Sequence, residues 1–173
     1  MILTSKTVKM RLVEESDAEF IVGLRVDEKY NKHLSAVTGD VEAQVNWIRR
    51  YKADEADKLQ FYFIIERLDG TRCGTVRIYD IVGDSFCWGS WILNEEKTKY
   101  AALESAFLVY EFGFEELKLS KSHFDVRKEN EKVISFHKKM GAVKTGETDL
   151  DELFEISKNS VLETKQRLSS KLL

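Results

Sequence analysis

Apolar and polar residues follow one another along this chain with two spacings, which predict different kinds of element. Residues 8–13 alternate between the two types, as expected of a half-buried strand. Ser16 stands three residues before Glu19, the spacing of a helix capping box, and apolar residues follow at helical intervals. The dipeptide Gly39-Asp40 opens a second helix, whose apolar residues broadly share one face. The pattern therefore begins with a strand and two helices.

The rest of the pattern predicts a mixed fold. Strands separated by the turn signals Asp69-Gly70 and Gly83-Asp84 are predicted over 61–67, 71–81 and 86–93. Further elements are helices over 101–117, 131–140 and 160–170, a strand over 123–127 and a hairpin over 143–157. This order indicates the α/β (α+β) class, with a mostly antiparallel mixed sheet and one crossover, flanked by helices. Because no repeat or linker divides residues 1–173, we expect a single domain.

Composition excludes several classes of function. The net charge of −3 argues against nucleic acid as the main partner, because neutralising phosphates needs a basic face. No apolar run approaches the ~18 residues of a membrane-spanning helix, and a signal-peptide core is missing, so we expect no membrane association and a cytoplasmic protein. Cys73 and Cys87 read as buried small hydrophobes, and His33, His123 and His137 lack ligand spacing. We therefore expect no metal.

The segment after the strand 86–93 is the strongest functional signal. A short polar loop carrying Lys97 and Lys99 opens directly onto the helix predicted from Ala101. A helix start presents unpaired backbone N–H groups and the positive end of the helix dipole, which together suit a phosphate. The two lysines would add charge-assisted contacts. This arrangement suggests a ligand that carries pyrophosphate, although a plain solvent loop before a helix would look similar.

These residues carry a family resemblance. The chain resembles the Gcn5-related N-acetyltransferases, in particular the branch around the ribosomal-protein alanine acetyltransferases. Their phosphate loop reads Arg/Gln-x-x-Gly-x-Gly/Ala, and by register Lys97 takes the first place, Tyr100 the first glycine and Ala102 the last position. Asn130 and the helix running into Gly141-Ala142 match the family's later segments. Two departures are the glycine lost at Tyr100 and the alanine in place of phenylalanine after Gly141.

The resemblance implies acetyl-CoA as the cosubstrate. In the family the fourth strand diverges from the fifth, and the pantetheine arm pairs with exposed strand backbone, here that of Trp91, Ile92 and Leu93. The implied pyrophosphate contacts and the further cofactor contacts are Lys97, Lys99, Tyr100, Ala101, Ala102, Asn130 and Phe136. Gly89 is the place where a bulge or close approach costs least, or it only relieves crowding between Trp88 and Trp91. Asn130 would equally serve as a helix N-cap.

The resemblance also implies catalytic residues. His137 stands where many family members have the tyrosine that protonates the departing thiolate, and a histidine would act as that acid or as a base. It would otherwise be a partly exposed helix histidine. Asp80, at the end of a central strand, is the candidate general base, with Glu66 as a weaker rival. Attack by an already neutral amine through a water would need neither carboxylate.

The acceptor site of this family is built from the first two helices, their connection and neighbouring strands. Here Asn31, His33, Tyr62 and Trp88 would line it, and stacking aromatics with hydrogen-bonding side chains suit a sugar or nucleotide. The same residues would accept a peptide N-terminus. The segments 86–91 and 123–130 also resemble acetyltransferases of surface-polysaccharide amino sugars.

The leading hypothesis is therefore N-acetylation of a small-molecule amine, in particular a nucleotide-linked amino sugar, by a monomer or homodimer. The alternatives are an N-terminal protein acetyltransferase, a non-catalytic acyl-CoA-binding domain and a purely structural interaction protein. The last reading predicts a large exposed apolar patch and no CoA affinity.

Overall fold

One sheet organises the part of the chain that this computed structural model describes, which is residues 1–32 and 39–169. Within these residues the sheet has eight strands in the order β1-β2-β3-β4-β5-β6-β8-β7. The strands are β1 (Ile2–Thr4), β2 (Val8–Leu12), β3 (Phe61–Arg67), β4 (Arg72–Val82), β5 (Ser85–Leu93), β6 (Lys121–Arg127), β7 (Val143–Glu147) and β8 (Asp151–Ser157). Neighbours pair antiparallel except β5 and β6, which are parallel. The predicted α/β class with a mostly antiparallel mixed sheet is confirmed.

Five α-helices flank this sheet in the described ranges. They are α1 (Ala18–Arg25), α2 (Val41–Ala56), α3 (Ala101–Glu111), α4 (Glu131–Met140) and α5 (Lys158–Arg167). Their ends follow local sequence chemistry. The Asp40 carboxylate caps α2 by accepting from the Glu42 N–H at 2.9 Å, and Gly141 ends α4 with a φ of 107° that other residues rarely adopt.

Each face of the sheet has its own core. The smaller core lies under α1 and α2 and is made of Val13, Ala18, Ile21, Ile48, Tyr51, Tyr62 and Ile64. The larger core lies on the opposite face and includes residues of α3, α4 and α5, such as Val109, Met140 and Val161. Successive residues of β3 alternate between the two, since Phe61, Phe63 and Ile65 belong to the larger core. A strand that is buried on both faces reads as a continuous apolar run.

The strands β5 and β6 diverge, and this divergence positions the candidate site. They pair only at Ser85–Lys121 and Phe86–Ser122, whereas β5 stays paired with β4 as far as Gly74–Leu93. A bulge accompanies the divergence, because Arg77 lies opposite Gly89 and Thr75 opposite Ile92, so that β5 has one extra residue. Among the described residues, the edge of β5 that faces away from β4 is therefore without a strand partner beyond Phe86, as the predicted splay requires.

Three local features differ from the sequence-based expectations. The strand β1 was not predicted, because its three residues carry little pattern and depend on pairing with β2. The helix expected over 101–117 is divided into α3 and a π-helical turn, Phe112–Glu116, in which Gly113 lies against the Phe86 ring. The capping box before α1 joins Glu14 and Asp17 rather than Ser16 and Glu19, because Arg11 holds the buried Asp17 carboxylate.

Candidate active site

A cleft of about 560 Å³ opens where β5 and β6 separate. One side, called the aromatic wall below, consists of Trp88, Trp91, Phe124, Val133 and His137. The other side, called the charged wall, consists of Lys29, Lys32, Arg77, Tyr79, Asp125 and Arg127. The two walls meet at the bulge residues Gly89 and Ser90. The cleft thus offers an apolar surface and an ionic surface to whatever occupies it.

The aromatic wall is held in place by contacts within the protein. The Trp88 and Trp91 rings lie 5.1 Å apart, and the Trp88 Nε1–H donates to the Tyr110 hydroxyl at 3.2 Å. The Trp91 Nε1–H donates to the Ser105 hydroxyl, also at 3.2 Å. Because both indole donors are used inside the protein, they orient the rings, and the faces of the rings remain for the cleft.

His137, the candidate acid or base, lies in the aromatic wall and is buried rather than partly exposed. Its ring centre is 4.1 Å from that of Phe124 and 5.3 Å from that of Trp88, and the residue is 5% exposed. Burial lowers the pKa of His137 to about 4. The imidazole is therefore neutral near pH 7, and its buried Nδ1 has no hydrogen-bond partner among the described residues.

The edge of β5 that we expect to pair with the pantetheine arm follows a bulge in that strand. Trp91, Ile92 and Leu93 lie on the unpaired edge of β5, next to the bulge. Ser90 has a φ of 48°, and its carbonyl accepts a hydrogen bond from the Thr75 hydroxyl at 3.1 Å. The bulge is thus centred after Gly89, whose missing side chain instead leaves room for Tyr79, since a Cβ would lie 3.1 Å from the Tyr79 hydroxyl.

The candidate phosphate loop turns into α3 with Tyr100 at the position of the family's glycine. Tyr100 has a φ of −109°, so the side chain causes no left-handed strain, and the cost expected from losing the glycine does not arise. The Ala101 N–H donates to the Thr98 carbonyl at 3.2 Å, which closes a turn into α3. Lys97 and Lys99 are exposed beside it, while Ala101 is buried and Ala102 half-buried. The first turn of α3 therefore presents backbone N–H groups next to small side chains and two cations.

A buried carboxylate supports this loop from behind, and the sequence reading missed it. Glu104 is 1% exposed and accepts from the backbone N–H of Thr7 at 2.7 Å and from the Thr7 hydroxyl. The Thr7 hydroxyl also lies 2.7 Å from that of Thr98 in the loop. Since Thr7 is almost a hundred positions away in the chain, only the fold reveals this chain of hydrogen bonds.

Of two further predicted cofactor residues, one lines the cleft and the other lies behind the aromatic wall. Asn130 lines it just before α4, and its side chain makes no capping hydrogen bond, so the amide faces the cleft instead of closing the helix. Phe136 packs on Trp91 with ring centres 5.1 Å apart and supports the aromatic wall from outside.

Several predicted residues are not brought into the cleft. The exposed Asp80 carboxylate lies 2.8 Å from His123 Nε2, and His123 Nδ1 lies 2.5 Å from the Ser85 hydroxyl, so Asp80 is engaged outside the cleft. The rival base Glu66 bonds to Arg11 at 3.1 Å instead.

The acceptor predictions fare unevenly. Trp88 lines the cleft, whereas Tyr62 is 3% exposed and packs edge-on to Trp47 and Tyr51 in the smaller core, because β3 is covered on both faces. Asn31 lies in a turn whose neighbours Lys29, Tyr30 and Lys32 line the cleft, though Asn31 itself does not. His33 lies outside the described residues.

The charged wall was missed by the sequence reading. Arg77 and Tyr79 alternate with the buried Val76 and Ile78 along β4, so they point to the other face of the sheet. The Arg77 guanidinium lies 4.2 Å from the Tyr79 ring centre. A usable signal was present, because polar residues at every second position of a strand indicate a face that the core does not fully cover.

The fold is that of an acyltransferase. A family model described as an acetyltransferase (GNAT) domain matches residues 7–143. The chain therefore belongs to the GNAT acetyltransferase family, and the predicted family and enzyme class are confirmed. This family uses acetyl-CoA. The open helix start, the unpaired β5 edge and the small residues at 101 and 102 fit such a molecule.

Solved structures support this placement. The apo form of FdhC, described as a nucleotide-linked sugar GNAT, is 50% identical, with a TM-score of 0.92 over 100% of this chain and 99% of that one. The ribosomal-protein-S5-alanine acetyltransferase from Vibrio fischeri is 18% identical, with a TM-score of 0.78 over 91% and 96%. Spermidine N-acetyltransferase from Vibrio cholerae, solved with CoA and spermine, is 18% identical, with a TM-score of 0.75 over 90% and 98%.

The two more distant likenesses show the fold alone. No curated protein matches the chain. Within residues 1–32 and 39–169, no helix is long and apolar enough to cross a membrane, and no group of His, Cys, Asp and Glu is arranged to hold a metal.

Proposed function

We propose that this protein transfers an acetyl group from acetyl-CoA to the primary amine of a nucleotide-linked amino sugar. The observation that carries the proposal is the charged wall, where Lys29, Lys32, Arg77 and Arg127 face the cleft in a chain of net charge −3. Cations gathered in one cleft of an acidic protein suit an acceptor that bears phosphates. The 50% identity to FdhC, a nucleotide-linked sugar GNAT, supports the same acceptor class.

The residues of the chain would divide the work between the two walls. Acetyl-CoA supplies the activated thioester. The exposed edge of Trp91, Ile92 and Leu93 would hold its pantetheine arm, and the loop from Lys97 to Ala102 would hold its pyrophosphate. The aromatic wall would exclude water from the acetyl group, and the charged wall would bind and orient the acceptor.

The proton chemistry needs no carboxylate at Asp80. Positive charges near an amine lower its pKa, so the charged wall would favour the neutral, nucleophilic form of the acceptor. A histidine with a pKa of about 4 is a weak base, and at neutral pH it lacks the extra proton of an imidazolium acid. We therefore propose that the neutral amine attacks the thioester carbonyl, that the C–S bond breaks, and that the proton lost from the amine passes to the departing CoA thiolate directly or through a water. The neutral His137 imidazole would be a hydrogen-bonding group in the cleft rather than the main proton donor.

Two other acceptors are weaker candidates for the same site. A polyamine such as spermidine would meet repulsion from four basic side chains. The carboxylates of Asp125 and Asp151 line the cleft and would suit the ammonium of a peptide N-terminus, although Asp151 already forms an ion pair with Arg127 at 3.2 Å. A non-catalytic acyl-CoA-binding domain would bind CoA and acetylate none of these amines.

The test is the release of free CoA thiol from acetyl-CoA with a panel of acceptors. The panel contains UDP- and dTDP-linked amino sugars, the corresponding free amino sugars, spermidine and a peptide with a free N-terminus. Cys73 and Cys87 are both buried, so the protein's own thiols add little background. We expect kcat/KM for a nucleotide-linked sugar to exceed that for its free sugar by about 100-fold. Preference for the peptide or for spermidine would contradict the proposal, and CoA binding without turnover would favour the non-catalytic alternative.

A further inference from the structure

The placement of Arg77 has no explanation in the packing of the protein alone. The residue lies in the middle of the central strand β4, paired with Tyr62 on one side and with Gly89 on the other. Its guanidinium stacks on the ring of Tyr79, two residues along the same face. A charged side chain in the middle of a sheet usually has a compensating partner, because removing a charge from water is costly.

No carboxylate compensates Arg77 within the described residues. Its Nε–H is buried without an acceptor there, and Nη1 lies 3.5 Å from the Gln60 amide oxygen, at the limit of a hydrogen bond. Other arginines are paired, as Arg11 is with Asp17 at 2.8 Å and Arg127 with Asp151 at 3.2 Å. Arg77 therefore faces the cleft as a fixed cation whose donors are largely unused.

We propose that Arg77 binds a phosphate of the acceptor's nucleoside diphosphate, so that the nucleotide rather than the sugar anchors the acceptor. A guanidinium presents parallel N–H donors that match two phosphate oxygens, and stacking on Tyr79 fixes its plane in advance. Lys29 and Lys32 lie at the same cleft and would add charge around the second phosphate. This inference rests on the proposed function, because it names the part of the acceptor that the site holds.

The subsite is distinct from the expected binding place of the CoA pyrophosphate. The loop from Lys97 to Ala102 follows the end of β5, where Leu93 pairs with Gly74. Arg77 lies three residues further along β4, beyond the bulge and opposite Gly89. Replacing Arg77 should therefore weaken the binding of the acceptor without weakening the binding of acetyl-CoA.

The decisive experiment compares Arg77→Gln, Arg77→Lys and the wild type. The control is Arg50→Gln, which removes the same charge from an exposed arginine of α2. We expect Arg77→Gln to lower kcat/KM for the nucleotide-linked sugar by about 100-fold, mainly through KM, with the KM for acetyl-CoA within twofold of the wild type. Arg77→Lys should recover part of the loss, because lysine keeps the charge and loses the bidentate geometry. Arg50→Gln should behave as the wild type.

A binding measurement separates this inference from the proposed function. UDP and dTDP are titrated calorimetrically into each protein with CoA present at saturation, so that the CoA site is already filled. Binding of either nucleotide to the wild type and its loss in Arg77→Gln supports the subsite, even if no nucleotide-linked sugar is acetylated. Absence of binding to the wild type overturns the subsite. An unchanged acceptor KM in Arg77→Gln also overturns it, while leaving acetylation of the nucleotide-linked sugar in place.

Discussion

The two walls of the cleft differ in whether the protein supplies acceptors for their indole and guanidinium N–H groups. On the aromatic wall the indole donors of Trp88 and Trp91 bond to Tyr110 and Ser105, so the rings are fixed before anything binds. On the charged wall the Nε–H of Arg77 is buried and finds no acceptor among the described residues. The aromatic wall, where the buried Nδ1 of His137 alone has no partner among these residues, suits an apolar or thioester-bearing portion of a ligand. A wall left incomplete indicates that a ligand supplies the missing acceptors.

The same strands build both walls, which explains how such different surfaces lie side by side. In β4 the buried Val76 and Ile78 alternate with Arg77 and Tyr79, and in β5 Trp88 precedes Gly89. Alternate side chains of a strand point to opposite faces, and the divergence of β5 from β6 opens both faces to one cleft. The comparison therefore predicts that substitutions on the aromatic side mainly affect acetyl-CoA, whereas substitutions on the charged wall mainly affect the acceptor.

The largest effect is expected from Ala102→Glu, next to the aromatic wall. A carboxylate in the first turn of α3 would occupy and repel the place proposed for the pyrophosphate, so acetyl-CoA affinity should fall by about 1,000-fold or more. Calorimetry with acetyl-CoA measures this loss. The control is Ala53→Glu, which adds the same side chain at an exposed position of α2 and should leave binding unchanged. Full affinity in Ala102→Glu, with a normal melting temperature, would place the cofactor elsewhere.

The next effect is a change in the pH dependence of stability in His137→Phe. In the unfolded protein His137 has its ordinary pKa of 6.5, whereas in the folded protein burial lowers the pKa of His137 to about 4. Between these values the unfolded state binds more protons, so the contribution of His137 makes the free energy of unfolding rise with pH. Acidification from pH 6.5 to pH 4 should therefore lower the free energy of unfolding of the wild type by up to about 3 kcal/mol more than that of the variant.

Urea unfolding of both proteins at pH 7 and at pH 4.5 measures this difference. A phenylalanine fits the aromatic surroundings of His137 and removes the unpartnered Nδ1, so the variant should fold. The same pH dependence in both proteins would show that His137 is protonated as readily in the folded state as in the unfolded one.

A smaller effect is expected on the charged wall from the double substitution Lys29→Glu and Lys32→Glu. Reversing two charges at the cleft should raise the KM for a phosphate-bearing acceptor by about tenfold at low salt and less at high salt, because salt screens the interaction. Steady-state kinetics at two salt concentrations measure it. Lys138→Glu with Lys139→Glu, on the exposed part of α4, is the matched control. An equal loss of acetyl-CoA affinity would contradict the division between the walls.

The smallest effect is expected from Arg127→Gln. Arg127 lines the same cleft as Arg77, but its guanidinium already forms an ion pair with the Asp151 carboxylate, with Nε 3.2 Å from Oδ1. A cation paired in this way offers less to an anion, so the acceptor KM should rise by about threefold or less. Acceptor kinetics beside those of Arg77→Gln give the comparison. A loss as large as that of Arg77→Gln would mean that position in the cleft, rather than an unpaired guanidinium, determines anion binding.

Much of the fold could be predicted because its elements carry strong local patterns. The bounds of β3, 61–67, and of α4, 131–140, agree with the structure to the residue, since each has a clear apolar period and a clear end signal. The weak points were elements that depend on a distant partner. Strand β1 has three residues that are stabilised by β2, and the π-helical turn after α3 lies where Gly113 meets Phe86.

The site was predictable on one wall only. Asn130 and His137 follow from the register of the family motif, and both line the cleft, as do Trp91 of the β5 edge and the acceptor candidate Trp88. The candidate phosphate loop follows the end of β5 and stays a prediction. Tyr62 and Asp80 were placed by their position along a strand, which does not reveal which face is covered. Tyr62 turned towards α2, and Asp80 turned towards His123. Arg77 was overlooked because its significance lies in the partners that it lacks.

The sequence by itself determined the order of the elements and the family, and it located the candidate phosphate loop, because these depend on residues that are close together in the chain. Only the tertiary structure decided the depressed pKa of His137, the support of the loop by Thr7 and Glu104, and the unpaired state of Arg77. Each of these depends on desolvation or on hydrogen-bond partners from distant segments. These partners come together only when the strands pair and the helices cover the two faces of the sheet.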